Sequence, residues 1–232
     1  MSRLRFTLLS LFVLIALGIL IGLGSWQLQR LHWKEALIET IDAGLAAEPR
    51  PLPAQPDADM EFQRFTVTGH YLHNLERHVY RSGPRGAVGY HVLTPFEAED
   101  GRLFFINRGW IAEGLKDPSR RLEGQLEGIQ QLEGVLRFSQ EKPRWGTGYL
   151  GDVEANIFYL FWPLELGQTI DLDVEPYYLA ADDSPNPGGW PQGGVTQVNL
   201  PNNHLQYALT WYGLGMTLIG VYLVVAYRRF KA

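Results

Sequence analysis

Residues 6–24 read FTLLSLFVLIALGILIGLG and residues 205–227 read LQYALTWYGLGMTLIGVYLVVAY, and neither stretch carries a charged side chain. A helix needs about 20 residues to cross a hydrocarbon core, and each run is of that length. Arg3 and Arg5 precede the first run, and Arg228, Arg229 and Lys231 follow the second. The positive-inside rule then places both ends in the cytoplasm and everything between them on the opposite side. A cleaved signal is the competing reading of the first run, with Gly22 and Gly24 at plausible cleavage positions. Its length and the helix-like continuation through Trp26, Gln27, Arg30 and Trp33 favour retention. The sequence also lacks a long targeting presequence, so a multi-pass protein of the bacterial inner membrane with a periplasmic domain is the expectation. The segments are 1–25 (first membrane helix), 26–203 (periplasmic β-rich domain), 204–227 (second membrane helix) and 228–232 (cytoplasmic tail).

Five of the 20 basic residues sit at the two tips, leaving 15 against 25 acidic residues between the runs, a formal balance of −10. That charge argues against nucleic acid as a partner. The chain has no cysteine, which removes disulfide staples, thiolate copper delivery, iron–sulfur ligation and covalent haem attachment together. Its three methionines do not cluster, so a Met-rich copper site is not expected either.

Beyond the first run, helix-like sequence continues from Gln27 to about Ala47, with Leu31, Ala36, Leu37, Ile38 and Ile41 on a partly apolar face, until the Pro-rich stretch Pro49–Pro56 stops it. From there, aromatic and β-branched segments predict strands at Glu61–Leu72, Arg77–Arg81, Gly89–Pro95, Arg102–Trp110, Gly128–Phe138 and Pro176–Ala180. Asn156–Leu166 is apolar and broken at Pro163, which predicts a short helix or two beside the sheet, and Asp182–Gly194 reads as a Pro- and Gly-rich surface loop. The fold class is an α+β membrane protein, in which two terminal transmembrane helices flank a small, mainly antiparallel sheet or barrel.

Chemistry-bearing residues gather at the outer ends of the two runs. Trp26, Arg30 and Trp33 share a helix face, being separated by four and three residues. An interfacial anchor explains them, because Trp prefers the headgroup level and Arg meets phosphates; a cationic aromatic ledge facing a polar ligand is the sharper reading. At the other run, Asn202 or Asn203 can cap a helix whose first turn holds His204. An ionisable side chain at that depth is a functional hypothesis, set against an interfacial or capping histidine. His204, Ala208, Trp211 and Gly215 fall on one side of this helix, and Gly213, Thr217 and Gly220 on the other. One stripe would accept the first span through the spacing of Gly18 and Gly22; the other would leave His204 open to a flat ligand or a partner helix.

His70, His73 and His78 with Glu76 invite a metal reading, but a strand turns positions 70 and 73 to opposite sides and a surface turn accounts for the rest. The turn Gly83–Gly86 before His91 lacks the strand-to-helix context of a phosphate loop, and structural duty is expected of it and of Asn107-Arg108-Gly109-Trp110 beside it. There is no nucleophile elbow, and the serines form no recognisable grouping with a histidine and an acid. A non-enzyme is expected.

Four blocks carry a family resemblance: Gly24-x-Trp26-Gln27-x-x-Arg30-x-x-Trp33-Lys34; Pro84-Arg85-Gly86-x-x-Gly89-Tyr90-His91-Val92 with Thr94-Pro95; Asn107-Arg108-Gly109-Trp110-Ile111; and Pro201-Asn202-Asn203-His204-Leu205-Gln206-Tyr207 with Thr210-Trp211. In this order, between two terminal runs, the chain resembles the surfeit locus protein one family, assembly factors of haem–copper cytochrome oxidase. The last block is the most specific. The resemblance implies a role in building the oxidase catalytic subunit by binding haem a noncovalently and passing it on, with haem a synthase as a further partner. It also implies that the histidine matching His204 is concerned with haem. A neutral imidazole is a good axial ligand. The macrocycle would lie between the two spans with its propionates outward, where Arg30 is a suitable partner. The expected cofactor contacts are His204, Arg30, Trp26, Trp211 and Tyr207, with His204 as the metal ligand. A haem-free scaffold for an oxidase intermediate is the rival expectation.

Overall fold

The computed structural model describes residues 3–83, 86–139, 149–195 and 200–231. Pro84 and Arg85 of the second block, and Val198 and Asn199 before the last, therefore lie outside the described residues. The chain divides into two compact units, residues 1–40 with 199–232, and residues 41–198.

The first unit is a helix pair. Helix α1 (Arg3–Ala46) has 44 residues and runs unbroken through the first apolar run and the helix-like sequence after it; α3 (His204–Lys231) has 28. Both are long and apolar enough to cross a membrane. On α3, His204, Ala208, Trp211, Gly215, Leu218 and Tyr222 recur at alternating steps of four and three, the seam of a left-handed helix pair. Ala208 and Gly215 on that seam are buried, and the position a Cβ would take on Gly215 lies 3.4 Å from Leu17 and 4.0 Å from the Cβ of Leu20 on α1. The two helices run antiparallel. Ser10 meets Tyr222 at 2.7 Å near one end, Ser25 meets the Tyr212 hydroxyl at 3.2 Å further along, and Phe6 stacks on Tyr222 with ring centroids 6.1 Å apart.

One expectation is corrected here. Gly18 and Gly22 do not form the helix contact, since a Cβ on either would meet nothing within 4 Å. The close approach is at Gly24, where a Cβ would come within 2.6 Å of the Tyr212 ring. Gly18 and Gly22 fall off the 3.5-residue seam that Val13, Leu17, Leu20 and Gly24 follow, so their spacing faces outward.

The second unit is a β-barrel with additions. Its strands are β1 (Arg50–Pro51), β2 (Arg64–Tyr71), β3 (Arg77–Tyr80), β4 (Gly89–Ala98), β5 (Leu103–Ala112), β6 (Gln130–Phe138), β7 (Gly151–Asp152), β8 (Ile157–Phe158) and β9 (Tyr177–Ala181). Strands β2, β6, β9, β5 and β4 close into a ring, antiparallel throughout except for the parallel pair β5–β9. That is the connectivity of a five-stranded Greek-key barrel of the OB type. Phe65, Val67, Phe96, Ala98, Phe104, Ile106, Leu136, Tyr177 and Leu179 alternate inward to form its core. The ring closes where Gly69 crosses β4. A Cβ there would stand 2.1 Å from the Glu97 carbonyl, so only glycine permits the pairing.

β4 changes partners along its length, pairing with β3 over residues 90–93 and with β2 over residues 96–98. Pro95 sits between those stretches, where the missing N–H costs no ladder bond. The outer face of this half is covered by β8 and by α2 (Pro163–Gln168), with Val79, Leu93, Phe105, Phe158, Phe161, Leu166 and Tyr178 packed beneath. The expected helix across Asn156–Leu166 is thus corrected. Ile157 and Phe158 pair with β7 and, at Phe158, with Val79, and the helix begins only at Pro163, whose fixed φ suits a first helical position. Arg102, at the β4–β5 turn, fastens the start of the unit by donating to the carbonyl of Pro53 at 2.7 Å and to the Tyr177 hydroxyl at 3.0 Å.

Candidate functional site

The helix pair holds His204 at the first residue of α3, where the Asn203 carbonyl accepts the Tyr207 N–H at 3.2 Å. Its imidazole faces α1, which corrects the expectation of a side chain left open beside an occupied stripe. Nδ1 lies 2.7 Å from Oε1 of Gln27. An amide oxygen only accepts, so the neutral imidazole places its proton on Nδ1, and Nε2 is then the nitrogen with a lone pair. The register that brings these two together is set within one turn of Gln27, by Gly24 lying against Tyr212 and by the bond between Ser25 and Tyr212.

The other expected contacts lie within two helical turns of Gln27 or His204 along the two helices. Trp211 is two turns along α3 on the same seam as His204 and is half-buried. Trp26 and Tyr207 are about half exposed, at 51% and 54%. Arg30 lies with its guanidinium carbon 4.2 Å over the ring of Trp33, so the cationic aromatic ledge is formed by these two residues. Gln27 stands in the same sequence block but its part was missed, because an amide is recognisable as an orienting group only once its partner is known. On the stripe of Gly213, Thr217 and Gly220 on α3, none of the described residues comes within 4 Å of a Cβ on either glycine.

Within the barrel unit, the remaining blocks are tied to one another. Asn107 accepts the Gly109 N–H with its Oδ1 at 3.2 Å and turns its amide nitrogen to Nδ1 of His91 at 3.1 Å. Gly109, at φ +119°, lets the backbone of Gln192 pair with Trp110 at 2.8 and 2.9 Å. The Trp110 ring lies against Gly83 and Gly89 and donates its indole N–H to the Arg81 carbonyl at 3.0 Å. The geometry gives Asn107, Gly109 and Trp110 the structural duty expected of their block, with Gly83 and Gly89 seating the Trp110 ring.

Arg108 continues the inward row of Phe104 and Ile106 and plugs one end of the barrel. Its guanidinium lies 4.9 Å over Tyr71 and donates to the Gly124 carbonyl and, at 3.4 Å, to Nδ1 of His73. His73 in turn donates from Nε2 to the Leu126 carbonyl at 2.9 Å. Beside it, Glu76 accepts from Arg121 and, at 2.9 Å, from Nε2 of His78, whose Nδ1 faces the Asn156 amide nitrogen at 3.2 Å. Burial works against the Glu76 charge, but the hydrogen bonds from His78 and Arg121 outweigh it and hold the carboxyl below its ordinary range. A cavity of about 490 Å³ borders Glu76, His78, Asn156 and His73. His70 stands apart, 3.3 Å from Glu97 on the surface. Each histidine of this stretch is therefore engaged by its own polar partners, and among the described residues no cluster of three or more His, Cys, Asp or Glu could hold a metal ion.

Comparison with known proteins follows the same blocks. The model of the SURF1 family matches residues 14–216, which takes in most of α1, the whole barrel unit and the first half of α3. A "SURF1-like protein" of Monosiga brevicollis is 34% identical over 221 residues, covering 87% of this chain and 81% of that protein. "Surfeit locus protein 1" of Takifugu rubripes is 33% identical over 221 residues, covering 88% and 90%, and that of Homo sapiens is 33% identical over 211 residues, covering 83% and 69%. With matching elements in order from one terminal helix to the other, the chain belongs to the SURF1 family.

Proposed function

We propose that this protein is an assembly factor for haem–copper cytochrome c oxidase, which binds haem a noncovalently at His204 and assists its insertion into the oxidase catalytic subunit. It does so from the bacterial inner membrane, with α1 and α3 as spans and the barrel unit in the periplasm. Two features support the location. The apolar side chains of α1 and α3 stay largely exposed, among them Leu8, Phe12, Ile15, Leu214, Met216 and Val221, a belt suited to lipid rather than water. The basic residues at the tips of the pair support a cytoplasmic position for both ends.

The observation that carries the haem reading is the 2.7 Å contact of His204 Nδ1 with Gln27 Oε1, which in the neutral ring leaves Nε2 as the nitrogen that would hold an iron. Haem a supplies the redox-active iron centre of the oxidase. His204 would hold the iron through Nε2, while Trp26, Tyr207 and Trp211 offer ring surface and Arg30 a cation for a propionate. A single neutral protein ligand suits a carrier that must release its load. No catalytic step is assigned to the chain, and haem a synthase is the natural donor.

The test is the absorption spectrum of detergent-purified protein coproduced with haem a synthesis, for the parent and for His204→Ala. A haem a band lost in the variant is the expected result, and a band retained there displaces the site. The second reading is a haem-free scaffold for an oxidase intermediate, favoured by the vacant stripe of Gly213, Thr217 and Gly220, which fits a partner helix. A folded parent with no haem under several conditions leaves that reading standing.

A further inference from the structure

We infer that Gln27 is a positioning residue whose neutral amide fixes the tautomer of His204 and keeps it a ligand of moderate strength, so that the haem is held and still released. The inference rests on the haem reading above and deepens it.

The argument starts from the 2.7 Å contact between Gln27 Oε1 and His204 Nδ1. In proteins the group opposite the ligating nitrogen sets both the orientation of the ring and the basicity of its free lone pair. A carboxylate in that place pulls on the Nδ1 proton and strengthens the donor. An apolar residue leaves the ring free to move its proton to Nε2, which then cannot ligate. An amide lies between these limits, since it selects the ligating tautomer without adding charge.

The placement is also built in. Gln27 is half-buried, and the residues within one turn that set its height on α1 are Gly24 and Ser25, both engaged by Tyr212. The alternative is a simple polar staple between two helices. The two roles separate in the variants. Gln27→Glu keeps a staple but changes donor strength, whereas Gln27→Leu removes both.

The first measurement uses the full-length protein without haem, labelled with ¹⁵N in its histidines and held in detergent. The His204 nitrogens are expected to show Nδ1–H in the parent and in Gln27→Glu, and a mixture of tautomers in Gln27→Leu. The second uses the same proteins loaded with haem a. The iron–histidine stretching frequency is expected to rise in Gln27→Glu, and haem loss to an apomyoglobin trap to slow by roughly tenfold; Gln27→Leu is expected to lose haem roughly tenfold faster. A parent with its proton on Nε2, or a Gln27→Leu variant with unchanged tautomer, overturns the inference. So does a tautomer change that leaves the stretching frequency and haem loss as in the parent, and that result leaves the haem reading intact. A parent that binds no haem, or a His204→Ala variant that keeps it, overturns the reading and the inference together.

Discussion

Acidification from pH 7 towards 4 should cost the barrel unit most of the stability that His91 supplies. His91 lies on β4 with its ring 5.7 Å from the Phe161 ring, and Arg81 places its guanidinium carbon 4.5 Å over that Phe161 ring. Burial first, and then the charge of Arg81, lower its pKa from 6.5 to about 4. Local bonding adds a reason. The Oδ1 of Asn107 is engaged by the Gly109 N–H, so the amide turns its NH₂ to His91, and a proton on Nδ1 would face another donor. The folded value lies below the unfolded one, so the unfolded chain binds more protons between the two. The contribution is complete above about 6.5 and is lost as the pH falls through about 4. That gap corresponds to about 3 kcal/mol. Urea unfolding of the full-length protein in detergent, followed by tryptophan fluorescence at half-unit steps from pH 7 to 4, reads it. His73 is depressed by burial as well and adds to the slope of the parent, so the decisive quantity is the difference from His91→Gln. The variant should be flatter by about 3 kcal/mol over this window. Parallel profiles for parent and variant would refute the reasoning.

The close approach of the helices gives a contrast. Gly24→Leu should part α1 from α3 at Tyr212, while Gly22→Leu should leave the pair intact. The chain has no cysteine, so crosslinking between Leu20→Cys and Gly215→Cys reads the pair without background, and equal yields in both backgrounds would contradict the packing described. Glu76→Gln leaves the buried Arg121 without its carboxylate and should cost about 3–5 kcal/mol in the same urea assay. A loss under about 1 kcal/mol would mean that Arg121 finds its compensation elsewhere.

The long elements were legible because their signals are local. An uncharged apolar run states its own length, and continuation of α1 to Ala46 was readable from Leu31, Leu37, Ile38 and Ile41 up to the Pro-rich stop. Six strands were found close to their observed limits, and β4 runs past the expected end at Pro95 because proline falls where that strand changes partners. The two-residue strands β1, β7 and β8 were missed. β1 and β8 depend on partners well separated in the chain, Phe65 with Thr66 and Val79, and β7 has β8 as its ladder partner. The same limit applied to the site. His204 and its place in the first turn of the second helix were visible, and the pairing of Gly24 with Tyr212 that brings Gln27 to it was not, since a three-residue versus four-residue step decides which glycine faces the neighbour. Structural duty was expected of the Asn107-Arg108-Gly109-Trp110 block, but its partners Gln192 and Gly124 were not, since no spacing rule links them to it.

The position of β9 governs the timing of synthesis. It is the last strand to be made, yet it lies between β5 and β6 in the ring. Until it arrives, β5 and β6 each present an unpaired edge, and the barrel stays open however well the β4–β5 and β2–β6 pairs have formed. At roughly 5–20 residues per second, the chain between Phe138 and Tyr177 takes a few seconds to emerge. For that interval the unfinished sheet is a client for holding factors and a target for proteases. Closure then follows only shortly before α3 itself is made, so a strand deletion or a stalled chain ending ahead of Tyr177 would lose the barrel as a whole.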